Sequence, residues 1–255
     1  MCLLLAAWRV HPRYDLAVAA NRDELHARPS TPVHHWPAPA GVLAGRDLTA
    51  GGTWLGVDGR GRFAAVTNYH ETATASAAGQ PSRGHLVAGF LSATTGAEDW
   101  LRTLEREAHR YAGFNLMLAD GESLWYASNR GETFARPLGP GVYGLSNHLL
   151  DTPWPKILRA RDRITRWVDA GSSTTAPLRE LLLDSEPDTA TDLPWPASSG
   201  PFVIGDTFGT RSATWLAREP GRLRLGEENF APGGRSLGMA QFSVSWRRDP
   251  PARLP

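Results

Sequence analysis

The sequence predicts an α+β fold of four layers, helix on sheet on sheet on helix (αββα), and three observations carry that prediction. Apolar runs of strand length come in three groups, and two pairs of segments with helical spacing separate the groups. Runs of strands alternating with paired helices pack as layers, whereas a βαβαβ order winds a parallel sheet. Several runs, Leu3–Val10 and Leu16–Ala20 among them, are apolar at successive positions, so their sheets need cover on both faces.

Taken in order, Leu3–Val10 and Leu16–Ala20 read as two strands joined by a turn at His11-Pro12-Arg13-Tyr14. Val42–Ala44, Thr53–Val57 and Arg62–Asn68 follow, the last two joined by Asp58-Gly59-Arg60-Gly61. Leu86, Val87, Phe90 and Leu91, then Trp100, Leu101, Leu104, Ala108 and Tyr111, keep helical spacing and predict helices over 84–93 and 97–110. After Gly113 the strand pattern returns at Phe114–Ala119, Leu124–Ser128 and Val142–Ser146. Pro155 opens a helix to about Ala170, and Thr175 with Pro177 begins another that ends near Ser185. Glu186–Pro201, rich in Pro, Asp, Ser and Thr, reads as a long loop. The last strands fall near Phe202–Asp206, Ser212–Arg218, Leu223–Leu225 and Gly238–Trp246. One domain over 1–247 is expected, with 248–255 as a disordered tail.

Composition removes several functions. A chain of 255 residues can bury a substantial core. Its net charge of +1 and lack of a basic tract argue against a nucleic-acid partner. Lys156 is the only lysine, which excludes a P-loop and an S-x-x-K pair. The single cysteine forbids an internal disulfide and zinc sites built on several cysteines. No H-E-x-x-H or C-x-x-C-H occurs, and Gly59-Arg60-Gly61-Arg62-Phe63-Ala64 precedes a strand instead of opening a helix, so it predicts no dinucleotide site. The apolar start ends at Arg9, too early for a signal peptide or membrane span, and a soluble, cytoplasmic protein is expected.

The lone cysteine is Cys2, behind Met1. Removal of Met1 would place a thiol and a free α-amine on one residue. Their ordinary pKa values, about 8.5 and about 7.7–8.0, let the amine take the sulfur's proton near neutral pH, as in enzymes with an N-terminal nucleophile. The plainer alternative is a buried second residue entering a strand. A polar cluster, Asn21-Arg22-Asp23-Glu24, follows Ala20, and the turn near Pro12 brings it back beside Cys2. An arginine near sulfur lowers the thiol pKa, and an aspartate can hold the N-terminal ammonium.

These residues resemble the NRDE family, whose animal members are called transport and Golgi organisation protein 2. The chain carries M-C at its start, N-R-D-E at 21–24, R-P-S-T-P at 28–32 with Trp36, G-G-T-W-L-G at 51–56 and T-N-Y at 67–69. S-R-G at 82–84, Y-G-L-S-N at 143–147, P-W-P-K at 153–156 and G-T-R-S at 209–212 complete the match up to Trp246. His70 departs from the family pattern, in which an arginine often follows T-N-[YF]. A more distant resemblance is to cysteine N-terminal-nucleophile hydrolases related to penicillin V acylase and bile salt hydrolase. It implies an N-terminal-nucleophile αββα sandwich and, by chain order, the site residues Cys2, Arg22, Asp23, Asn68, Asn147 and Arg211. Asn68 and Asn147 would donate to an oxyanion, and Arg211 would steady the thiolate and the developing charge. In those hydrolases the arginine and aspartate are two residues apart. Adjacent strand residues point to opposite faces, so Arg22 and Asp23 can both reach Cys2 only if the strand has bent; Glu24 or Asn21 could replace one of them.

Two functions follow from the resemblance. One is hydrolysis of a small acyl amide, or a related acyl substrate, with no cofactor. The other is non-catalytic binding and trafficking of haem, lipid or acyl-CoA in the same pocket, for which a thiolate can serve as an axial haem ligand.

Overall fold

A computed structural model describes residues 2–39, 41–71, 79–187 and 200–246. The chain opens with a hairpin, β1 (Cys2–Trp8) and β2 (Leu16–Leu25), and continues through β3 (Ser30–His35), β4 (Val42–Asp47), β5 (Leu55–Asp58) and β6 (Phe63–Asn68). Helices α1 (Gly84–Ser92) and α2 (Ala97–Glu105) come next, with a short 3-10 turn at Ala108–Arg110. Strands β7 (Phe114–Ala119), β8 (Leu124–Ser128), β9 (Ala135–Leu138) and β10 (Gly141–Leu145) lead to α3 (Pro155–Asp169) and α4 (Ala176–Leu182). The last elements are β11 (Phe208–Glu219), β12 (Arg222–Phe230) and β13 (Ser236–Ser245).

Two antiparallel sheets result, one ordered β10-β1-β2-β11-β12-β13 and the other β3-β4-β5-β6-β7-β8-β9. Alternation along β1 and β2 sorts their side chains. Leu4, Ala6, Trp8, Leu16 and Val18 pack between the sheets with Leu43, Val57, Phe63 and Met117. Leu3, Leu5, Ala7, Ala17 and Ala19 face the other way, onto Ile157, Ile164 and Trp167 of α3 and Leu178 and Leu181 of α4. A third cluster joins Leu86, Phe90 and Leu101 of α1 and α2 to Ala64, Leu116 and Leu118 of the seven-stranded sheet. The layers are therefore α3/α4, six-stranded sheet, seven-stranded sheet, α1/α2, the αββα order predicted. Unbroken apolar strands make sense in it, because the central strands such as β2 and β7 are covered on both faces.

Some boundaries differ from the sequence reading. β3 and β9 were not foreseen. Phe202–Asp206 is a loop, not a strand: the Phe202 amide donates to the Asp184 carbonyl, the Val203 amide donates to the Thr210 side chain, and the Phe202 ring packs edge-on against Phe230. β2 runs five residues beyond Ala20, so Asn21–Glu24 belongs to the strand. Most of the 186–201 loop and the tail from 247 lie outside the described residues.

Candidate active site

β1 begins at Cys2, and the antiparallel register sets Cys2 across from Arg22. On its other edge β2 pairs with β11, where Asp23 faces Thr210 and Arg22 faces Ser212. The polar residues of Asn21–Glu24 extend a strand because β11 pairs with all four and β1 also pairs with Asn21 and Arg22, and alternation then sends them to two faces.

Arg22 takes the inter-sheet face. It is 5% exposed, its guanidinium lies 4.4 Å from the Trp54 ring, and Nη2 is 3.7 Å from Asp47 and 3.8 Å from Glu24. Asp47 also accepts from Arg28 Nε at 2.7 Å. Burial alone would raise the Asp47 carboxyl, but bonds from Arg28 and from the Ala50 and Thr49 amides outweigh it and hold its pKa below the usual value.

Asn21 and Asp23 turn toward α3 and α4. Asn21 Nδ2 donates to the carbonyls of Leu182 (2.7 Å) and Pro201 (2.8 Å), tying β2 to the end of α4. Asp23 is buried and accepts a 2.6 Å bond from Thr210 Oγ1, a hydroxyl that itself accepts from the Val203 amide. Burial raises the Asp23 pKa to about 6; the positive chain terminus, the Thr210 bond, Lys156 and Arg22 pull the other way and limit the rise. Lys156, at the start of α3, is 1% exposed, with its Nζ 5.3 Å from the Trp154 ring centroid.

Asn68 ends β6, and Asn147 follows β10. They meet: Asn147 Nδ2 donates to the Asn68 carbonyl at 2.9 Å, and the Asn147 carbonyl accepts from His70. Asn68 is exposed and lines a cavity of about 150 Å³ together with Arg22, Asp23, Asp47, Trp54 and Arg83. Asn147 is buried and meets the cavity wall at the Asn68 carbonyl.

Arg211 stands apart. It is the extra residue of a bulge in β11. Its Nη1 donates to the carbonyls of Leu25 (2.9 Å), His26 (3.1 Å) and Arg28 (3.0 Å), and the residue does not line the cavity. These three bonds tie Arg211 to the turn that leads into Arg28 of the cavity wall.

Of the other wall residues, Arg28, Thr53, Trp54, Ser82, Arg83 and Gly84 belong to the R-P-S-T-P, G-G-T-W-L-G and S-R-G segments, matched in sequence without a role. Asp47 lay in no motif, and only its pairing with Arg22 and Arg28 reveals it. Among the described residues no three His, Cys, Asp or Glu side chains gather as a metal site, and no helix is long and apolar enough to cross a membrane.

The family description "Transport and Golgi organisation 2" matches residues 1–232. A Transport and Golgi organization protein 2 homolog of Bos taurus is 38% identical over 211 residues, 77% of this chain and 75% of that protein. The Homo sapiens homolog is 37% identical over 210 residues, with the same shares. Among solved structures, a Caenorhabditis elegans N-acylethanolamine-hydrolyzing acid amidase ortholog superposes with a TM-score of 0.49 at 9% identity, covering 84% of this chain and 92% of that one. A conjugated bile acid hydrolase from Clostridium perfringens gives 0.49 at 10% identity, over 96% and 92%. By the extent of the family match and the identity to these homologs, the chain belongs to the Transport and Golgi organisation 2 family.

Proposed function

We propose that the chain is an N-terminal-nucleophile amidohydrolase that cleaves an acyl amide through Cys2 once Met1 has been removed. The observation that carries this reading is the β1–β2 register, which sets Cys2 across from Arg22 and one position from the buried, Thr210-bonded Asp23. The cysteine sulfur attacks the amide carbonyl while its own α-amine takes the thiol proton. Arg22 favours the thiolate, and ionised Asp23 holds the α-ammonium. The Asn68 side chain donates to the oxyanion, with Asn147 and Arg211 as positioning residues behind the wall. Collapse of the tetrahedral intermediate breaks the C–N bond, the α-ammonium returns its proton to the leaving amine, and water cleaves the thioester.

Intact mass, followed by mapping of a thiol-reactive probe, tests the premise: the mature chain lacks Met1 and carries the probe on Cys2. A panel of acyl amides then tests turnover, which Cys2→Ala abolishes. Retention of Met1 in active protein, or full turnover by Cys2→Ala, refutes the mechanism.

A further inference from the structure

The cavity is walled in part by Arg22, the residue that stands across from Cys2 in the β1–β2 register, and it is small and polar. Its volume of about 150 Å³ is half the lower end of the roughly 300–1,000 Å³ typical of pockets for drug-sized ligands. Apart from Val66 and Trp54, the apolar part of its described wall is slight, and the Arg22 guanidinium covers a face of Trp54. Around Arg22 the wall is an ionic lattice: Arg22 and Arg28 are each met by both Glu24 and Asp47, at 2.7–3.8 Å. Arg83 Nη1 donates to the Gly113 carbonyl at 2.9 Å.

These facts bear on what can fill the space. An alkyl chain pressed against the lattice would strip water from four charged groups and return no hydrogen bonds. A charged head would compete with an opposite charge already in place. A neutral group with its own donors and acceptors replaces the lost water and disturbs neither arginine. We propose that this pocket takes a short, neutral, hydrogen-bonding amide of a few heavy atoms and rejects long-chain acyl amides. The proposal rests on the reading of Cys2 as the nucleophile.

Alkylation of Cys2 separates the two claims without requiring turnover. In the full chain lacking Met1, Cys2 modification is timed with iodoacetamide and with N-octyl iodoacetamide, each rate divided by that of free cysteine methyl ester. The short reagent is expected to be favoured by at least about tenfold, the scale on which pocket contacts discriminate. Equal rates, or preference for the octyl reagent, overturn the proposal. Arg28→Met, which keeps wall volume and removes lattice charge, is expected to reduce the preference severalfold; an unchanged preference overturns the role given to polarity. If neither reagent labels Cys2, the nucleophile reading has failed. Selection is then read from the Trp54 indole N–H resonance, assigned through Trp54→Phe. A saturable shift with N-acetylglycinamide and none with hexanamide supports the pocket assignment. A shift with hexanamide, or with neither compound, overturns it.

Discussion

Asp23 carries the site's most testable electrostatics. Its carboxyl is buried, with a pKa near 6 where an exposed aspartate has 3.8. A raised carboxyl pKa means that the folded chain binds its proton more tightly than the unfolded one. Asp23 therefore contributes stability in full below about pH 4, and that contribution is lost as pH rises through about 6. The shift corresponds to about 3 kcal/mol. In Asp23→Asn this dependence vanishes. Asp47, Asp120 and Glu219 have lowered pKa values and act in the opposite sense, so the informative quantity is the difference between variant and wild type. Urea denaturation at pH 4, 5, 6 and 7 is expected to show the variant gaining on wild type by about 2 kcal/mol across that window, on top of a constant offset from the lost ionised acceptor. A pH-independent difference would show that Asp23 titrates normally. The sequence made Asp23 legible as a candidate because charge follows an apolar strand there. It left open whether the strand bends after Ala20, which is settled only by the β11 partners Thr210 and Ser212 that extend the ladder.

Elements position the cavity wall by backbone contact. The connection from β4 to β5 passes the start of α1 so closely that a Cβ on Gly52 would lie 2.5 Å from the Gly84 carbonyl carbon and 2.7 Å from its oxygen. No side chain there can rotate away, and the Thr53 amide donates to the Gly84 carbonyl at 3.2 Å. This contact fixes Ser82, Arg83 and Gly84 on the same wall as Thr53 and Trp54. Gly52→Ala must push α1 outward, and a loss of about 1–3 kcal/mol in chemical denaturation is expected. Gly59→Ala, with nothing within 4 Å of the added Cβ, is the control and should stay within about 0.5 kcal/mol of wild type. Equal effects at the two positions would refute the contact argument. The same scale explains the unforeseen strands. β3 contains Pro32 and β9 contains Pro137, and proline reads as a strand breaker. Both are edge strands of the seven-stranded sheet, where a missing N–H faces no partner and proline is tolerated.

For the molecule as a whole, strand periodicity made the three apolar interfaces legible, but the polar groups joining the two sheets carried no periodic signal. Glu227 of β12 accepts from the Val33 amide of β3, and burial raises its pKa. Arg218 of β11 is the larger fastening. It is fully buried, with its guanidinium carbon 5.5 Å from the ring centroids of both Trp8 and Trp246. Its Nε donates to Asp15 at 2.9 Å, within its own sheet's loops, while Nη1 reaches the carbonyls of Gly61 (2.8 Å) and Asp120 (3.0 Å) in turns of the other sheet. The two tryptophans thus wall a compartment whose centre is a cation. Arg218→Met keeps much of the packing volume but leaves two carbonyls and Asp15 without their donor. Breaking a buried pair costs about 3–5 kcal/mol. The Asp15 side chain, 23% exposed, can regain water, so the lower end, about 3 kcal/mol, is expected. In a chain of this size that lowers Tm by roughly 6–12 °C. Arg218→Lys keeps the charge but not the planar fork that serves three acceptors at once, and should fall between Met and wild type. A fastening between sheets also predicts that both sheets loosen together. Amide exchange in Arg218→Met is expected to accelerate around Gly61 and Asp120 as well as along β11; acceleration confined to β11 would mean that the arginine serves only its own sheet.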